Sequence, residues 1–268
     1  MSDDVTARAI HLAAGEGRRL RPITNDRPKP LVELDGVSLL ERNVETLRDC
    51  GVTDQIVVTG YCADQIQELG YDTEHNPVYD KTDMVYSLFC AQDMFPEDRD
   101  LLISYGDIIY EQKVVEALLE SDAGVSVIVD RQWKDLWDAR FEDPLEDAET
   151  LRLRENNRIK DIGNTPDTSS EIQGQYIGLI KIRADQIGPF AEKYNQLAEK
   201  DGAEYASVEM THFIQRMIDD GWDVRAVPVD GGWLEIDTVE DLEMYQNLYS
   251  DGELNRYIDL GSTEETAE

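Results

Sequence analysis

Between residues 9 and 129 the chain alternates short apolar runs with amphipathic stretches, and that rhythm restricts the fold more than anything else in the sequence. Residues 9–13 (AIHLA), 55–60 (QIVVTG), 101–105 (LLISY) and 124–129 (GVSVIV) are too short for helices and apolar on both faces, as strands covered from two sides are. Between them, residues 38–50 put Leu39, Leu40, Val44 and Leu47 on one helical face and stop at Gly51, while 63–69, 82–95 and 112–119 read as further helices. Strands and helices in this order imply an α/β protein with a mostly parallel, twisted sheet and helices on both faces. In such sheets ligands sit beyond the carboxyl ends of strands, which directs attention to the residues after Ala13 and after Tyr105.

Past Trp133 the pattern loosens. LRLRENNRIKDIG reads as a hairpin turning at Asn156 and Asn157, QYIGLIKI as a strand, 184–199 and 208–221 as helices, 223–229 as a strand and 239–249 as a last helix. With no repeat and no linker, residues 1–249 are expected to form one domain with an insertion at about 131–175. The polar, acidic stretch 250–268 is expected to be a flexible tail.

The 25 Lys and Arg against 58 Asp and Glu leave a net charge of −33, spread along nearly every segment. A chain this acidic is a poor partner for nucleic acid, and its self-repulsion at low ionic strength points to a halophilic protein working in a salt-rich cytoplasm. Cys50, Cys62 and Cys90 have neither the parity of a disulfide framework nor the spacing of a zinc site, so they read as reduced thiols. No apolar run is long enough to cross a bilayer, and the first nine residues lack the layout of a signal peptide; the expected location is cytoplasmic.

Against that acidic background, AAGEGRRLRPITNDRPKP (13–30) collects five basic residues and two glycines directly after a strand. Gly15 and Gly17 allow a backbone to approach phosphates, and Arg18, Arg19, Arg21 and Lys29 supply charge for a polyphosphate. The P-loop pattern is absent, and Leu20 stands where a GxGxxG motif needs its third glycine. Neighbouring like charges repel unless an anion joins them.

Gly15-x-Gly17-x-Arg19-Leu20-x-Pro22-x-Thr24, followed by Pro28-Lys29-Pro30-Leu31-Val32, resembles the signature of the nucleotidyltransferases that make sugar nucleotides and CDP-alcohols. The resemblance implies a Rossmann-like fold and a nucleotide site formed by Leu12, Ala13, Ala14, Gly15, Glu16, Gly17, Arg18, Arg19, Lys29 and Gly106. Within it, Arg19 holds the phosphates and Lys29 lies beside the reacting α-phosphate. Read alone, Asp107 is a turn aspartate after a strand and Asp237 a cap for the last helix. The resemblance joins them as ligands of one Mg²⁺, so that Arg19, Lys29, Asp107 and Asp237 form the implied catalytic set. His11, His75 and His212 are given no duty.

Asn76, Tyr79, Ser87 and Leu88, an N-x-x-Y and S-L pair, resemble the phosphocholine cytidylyltransferase-like branch, whose members attach CMP to small phosphorylated or phosphonylated alcohols and amines. Sugar-phosphate enzymes often carry Glu-Lys-Pro after the middle hairpin, where this chain has Gly163, Asn164, Thr165 and Pro166. Asp83 and Met84 stand where the branch commonly has asparagine; Asp83 either favours a cationic acceptor or is one more acidic surface position, the latter preferred. Trp133 and Trp137, one helical turn apart, either enclose an ammonium, with Arg140 on the acceptor phosphate, or pack a helix onto the sheet. Asn76, Tyr79, Trp133, Trp137, Arg140 and Tyr176 are the expected acceptor-side residues.

The implied reaction is Mg²⁺-dependent nucleotidyl transfer from CTP to a small phosphate or phosphonate acceptor such as phosphocholine, 2-aminoethylphosphonate or inositol phosphate, releasing pyrophosphate. An acceptor phosphate is largely dianionic at neutral pH and attacks without a general base. The rivals are a sugar-1-phosphate nucleotidyltransferase using dTTP, UTP or GTP, and a non-catalytic relative that senses a nucleotide sugar.

Overall fold

A computed structural model describes residues 7–261. Its strands are β1 (Ala7–Ala13), β2 (Glu33–Leu34), β3 (Val37–Ser38), β4 (Asp54–Thr59), β5 (Thr73–His75), β6 (Asp100–Tyr105), β7 (Ile108–Tyr110), β8 (Val125–Asp130), β9 (Leu151–Leu153), β10 (Ile159–Ile162), β11 (Gln175–Ile182), β12 (Val224–Val229) and β13 (Trp233–Glu235). The helices are α1 (Leu39–Asp49), α2 (Ala63–Glu68), α3 (Met84–Cys90), α4 (Gln112–Glu120), α5 (Trp133–Arg140), α6 (Ala184–Asp201), α7 (Met210–Asp219) and α8 (Val239–Ser250).

Seven strands make the central sheet, in the order β12-β8-β11-β6-β1-β4-β5. Neighbours run parallel except β11, which is antiparallel to both β6 and β8. The expected α/β class, with a mixed and mostly parallel sheet, is therefore observed. Successive residues point to opposite faces: Ala9, Leu102 and Leu179 join the core beneath α1, α4 and α8, while Ile10, Ile103 and Ile180 join the core beneath α3, α6 and α7. A sheet buried on both faces explains why its strands read as unbroken apolar runs.

Local chemistry sets the boundaries. The Ser38 hydroxyl accepts from Glu41 N and caps α1. The helix expected over 82–95 is shorter, because the Asp83 carboxylate caps its start at Met84 and the chain turns into a separate 3₁₀ turn, Gln92–Met94, after Ala91. Asn156 and Asn157 both take left-handed backbone angles at the tip of the β9–β10 hairpin, as the Asn-Asn turn requires. On β11, Gly178 sits at a register shift with φ near +90°, and a Cβ there would fall 2.5 Å from the ring of Tyr105.

The stretch expected as a loose tail divides. Up to Gly261 it packs against the domain: Leu254 and Ile258 are buried, and Gly232 N–H donates to the Tyr257 carbonyl at 2.8 Å. Two apolar residues four apart outweigh the acidic character around them. The remainder, 262–268, lies outside the described residues. Among the described residues all three cysteines are free thiols, and no helix is long and apolar enough to cross a membrane.

Candidate active site

The site assembles at the carboxyl ends of β1 and β6. After β1 the chain enters the glycine loop, where Gly17 adopts φ +60° and a Cβ would lie 2.8 Å from the Lys29 Cβ. Only glycine lets the loop fold down onto the lysine stem. The Thr24 hydroxyl donates to Gly17 O at 2.7 Å and closes the loop. Lys29 begins a 3₁₀ turn whose start is fixed by Pro28, and its ammonium points under the loop.

Asp107 follows β6 and precedes β7. β13 pairs antiparallel with β7, Glu235 opposite Ile108, and Ile236 N–H donates to Asp107 O at 3.0 Å. This ribbon brings two distant segments together and places Asp237 beside Asp107. The cap of α8 is Thr238, which with Asp241 forms a capping box; Asp237 is thereby released from the capping duty its position suggested.

Lys29 Nζ is 2.8 Å from Asp107 Oδ2 and also contacts Asp237 Oδ1, while Arg19 reaches Asp237 Oδ2 at 3.0 Å. Burial works against the charge of Lys29, but Asp107, Asp237 and Glu235 outweigh it and hold the ammonium well above the ordinary lysine range. Burial likewise opposes the charge of Asp237, and Lys29, Arg19 and Arg140 overcome it, keeping the carboxyl below its usual value. Glu235 goes the other way, pushed up by burial and by the neighbouring Asp237 charge.

Asp107, Glu235 and Asp237 each offer a carboxylate oxygen, all within 4.8 Å of one another, and the other oxygen of Asp107 is buried without a hydrogen-bond partner. Hard oxygen donors around an unsatisfied lone pair fit a divalent cation such as Mg²⁺ completed by phosphate and water. Glu235 was not among the expected site residues. Strand alternation was the available signal: in Trp233-Leu-Glu235-Ile-Asp237 the glutamate shares a side with Asp237.

Two adjoining cavities meet at this cluster. The first, about 180 Å³, is walled by Leu12, Ala13, Ala14, Gly15, Lys29 and Gly106 on one side and by Tyr79, Thr82, Asp83, Met84 and Ser87 on the other. The second, about 370 Å³, carries one arginine, Arg19, and six carboxylates: Asp83, Asp147, Glu149, Glu209, Glu235 and Asp237. Tyr105, Trp137, Tyr176 and Gly178 complete its apolar side. Asp83 lines both cavities and is pushed upward by burial, so it is no ordinary surface carboxylate.

Other expected residues fall elsewhere. Arg18 and Arg21 both pair with Glu16, so the anion that joins these like charges is the loop's own glutamate. Asn76 is wholly buried, with its amide bonded to Thr82 and Ser87 and its oxygen accepting from Val78 N; it shapes the loop and touches neither cavity. Trp133 and Trp137 are buried edge to face, which is the packing alternative, although Trp137 also reaches the second cavity. Arg140 does not face an acceptor phosphate. Its side chain is 0% exposed and is bound to Glu235 at 2.7 Å and to Asp241 at 3.0 Å, with Trp137 stacked over it.

Comparison with known proteins identifies the family. The MobA-like NTP transferase domain matches residues 9–160. Over 248 residues, 88% of this chain and 98% of the relative, the sequence is 39% identical to the CTP:phosphoglutamine cytidylyltransferase of Campylobacter jejuni. It is 33% identical over 140 residues to the UTP–glucose-1-phosphate uridylyltransferase AglF of Haloferax volcanii, spanning 50% of this chain and 52% of that one. Among solved structures, the CTP:phosphocholine cytidylyltransferase of Streptococcus pneumoniae shares the fold with a TM-score of 0.70 at 21% identity, covering 91% of this chain and all of that one. Fold and site define a nucleotidyltransferase. The chain belongs to the MobA-like NTP transferase family.

Proposed function

We propose that the protein is a Mg²⁺-dependent cytidylyltransferase that joins CMP from CTP to a small acceptor with a phosphoryl group at one end and a cationic nitrogen at the other. The observation that carries the reading is the seam between the two cavities, where Arg19 and Lys29 meet Asp107, Glu235 and Asp237. CTP lies in the first cavity, with its triphosphate along the glycine loop and the base toward Tyr79 and Ser87. The acceptor lies in the second, where six carboxylates against one arginine disfavour a plain sugar phosphate and favour a positive charge. Phosphocholine, for which the Streptococcus protein is named, carries such a cation, and phosphoglutamine, for which the Campylobacter protein is named, carries an ammonium beside a carboxylate. Inositol phosphate carries no cation and ranks below them.

The work is positional and electrostatic. Arg19 at the seam holds the acceptor phosphate near the α-phosphorus, and Lys29 neutralises charge that builds there. A phosphate oxygen of the acceptor forms the new bond, the α–β bridging bond breaks, and pyrophosphate leaves; the attacking dianion surrenders no proton. Asp107, Glu235 and Asp237 would hold a divalent ion, which when bound would supply further positive charge for the transferring group. The test is pyrophosphate release with CTP, UTP, dTTP and GTP against phosphocholine, 2-aminoethylphosphonate, phosphoglutamine, inositol 1-phosphate and glucose 1-phosphate, run at low and high KCl. Turnover is expected with CTP and a nitrogen-bearing acceptor, rising with salt. Turnover confined to glucose 1-phosphate would overturn the reading.

A further inference from the structure

Lys29 fills the place that a divalent ion bridging Asp107 Oδ2 and Asp237 Oδ1 would take. Its ammonium, 2.8 Å from Asp107 Oδ2 and in contact with Asp237 Oδ1, bridges the two carboxylates. A Mg²⁺ bonded to those oxygens at about 2.1 Å would overlap the ammonium, so the two cations exclude each other. The lysine cannot retreat by moving its backbone, because Gly17 packs against its stem and Pro28 and Pro30 flank it. It can only swing its side chain, which is 11% exposed and lines the first cavity as well.

Charge decides when that swing is favourable. Asp107, Glu235, Asp237 and Asp241 face Lys29, Arg19 and Arg140, four formal negative charges against three positive. A divalent ion arriving alone would take the ammonium off both carboxylates and turn that balance positive in a cleft poorly screened by water, with Asp83 the one other carboxylate along the cavity that Lys29 lines. A triphosphate arriving at the same time provides that anion.

We infer that Lys29 is an internal cation lock: in the nucleotide-free protein it occupies the divalent site, and metal and nucleoside triphosphate displace it only together. This rests on the reading of the cleft as a metal–nucleotide site. It also gives Lys29 a role before catalysis, that of enforcing joint binding.

The experiment is Mn²⁺ binding to the full chain by equilibrium dialysis, with and without CTP and with no acceptor present, the Mn²⁺ held by CTP alone in the protein-free compartment being subtracted. In the wild-type protein CTP is expected to tighten Mn²⁺ binding by about tenfold or more. In Lys29→Met, nucleotide-free Mn²⁺ affinity is expected to rise by about tenfold over wild type, and the CTP effect to shrink. A lysine that only held phosphate would leave nucleotide-free Mn²⁺ affinity unchanged on substitution, and a purely structural one would lower it; either result overturns the lock. Should Lys29→Met fail to give a native circular dichroism spectrum, the wild-type arm decides, since equal Mn²⁺ affinity with and without CTP refutes joint displacement. An inference that fails in this way leaves pyrophosphate release with CTP intact. Absence of Mn²⁺ binding in every arm overturns both the lock and the metal–nucleotide reading beneath it.

Discussion

Two arginine–carboxylate groups border the cleft, and they differ in burial and in which charge is in excess. On the rim, Arg18 and Arg21 share Glu16 with 68% and 48% of their side chains exposed. Below the floor, Arg140 holds Glu235 and Asp241 with nothing exposed. Water screens the first group and competes for every bond in it, so its arginines remain available to an incoming anion. In the second group the guanidinium lost its hydration on folding and has only carboxylates of the cluster, Glu235, Asp241 and more distantly Asp237, to satisfy it, so it serves as a scaffold for the cluster above it. The same pair of functional groups yields an adaptable, cation-rich part in one place and a fixed, anion-rich part in the other.

The sharpest way to break this comparison is Arg140→Leu. Removing the guanidinium takes the charge partner from Glu235 and Asp241 and leaves Asp241 only its backbone bonds from Asp237 and Thr238, and a loss of about 3–5 kcal/mol in urea unfolding is expected. A cost indistinguishable from that of a rim substitution would refute the division. Asp237→Asn probes the layer between: pyrophosphate release is expected to fall by about 10²–10³ while the fold persists, since Thr238 and not Asp237 caps α8. A fall below tenfold would remove Asp237 from the reacting centre.

His11, deep in β1, extends the comparison to pH. Burial, only partly countered by the bond to Gln55, pushes its pKa down from 6.5 to about 4. The unfolded chain therefore takes up this proton before the folded one does. Stability from this group is complete above pH 6.5 and drains as pH falls towards 4, by up to about 3 kcal/mol. His11→Leu should flatten that part of the stability profile, and an unchanged slope would clear His11 of responsibility. The smallest effect is expected for Arg18→Ala: an unaltered urea midpoint, with CTP affinity lowered a few-fold in dilute buffer and the difference vanishing at high KCl. A change that survives high salt would mean that the rim is no more adaptable than the floor.

What the sequence discloses follows a similar divide. Strands covered on both faces announce themselves as apolar runs, so β1, β4, β6 and β8 and the α/β class can be read directly. The glycine loop and Lys29 are legible because their motif is contiguous. Asp107 and Asp237 need a family resemblance to be paired, for only the β7–β13 ribbon brings them together. Arg140 points sequence reasoning to the wrong partner because its carboxylates lie 95 and 101 residues further along the chain. Asn76 misleads for the opposite reason: its motif is visible, but the partners that turn it inward are its own close neighbours. The Trp133–Trp137 spacing fixes a helix face and leaves open what that face meets.

The β7–β13 ribbon also orders events during synthesis. Asp107 leaves the ribosome long before β13, so a nascent chain can lay down β1, β4 and β6 and fold the glycine loop while one wall of its ion site is still missing. Only when the segment around Glu235 and Asp237 docks alongside Ile108 does the cleft acquire its full set of carboxylates. Competence is thus deferred until the segment after β12 has been made, and a chain still short of it has no completed centre with which to sequester metal or nucleotide.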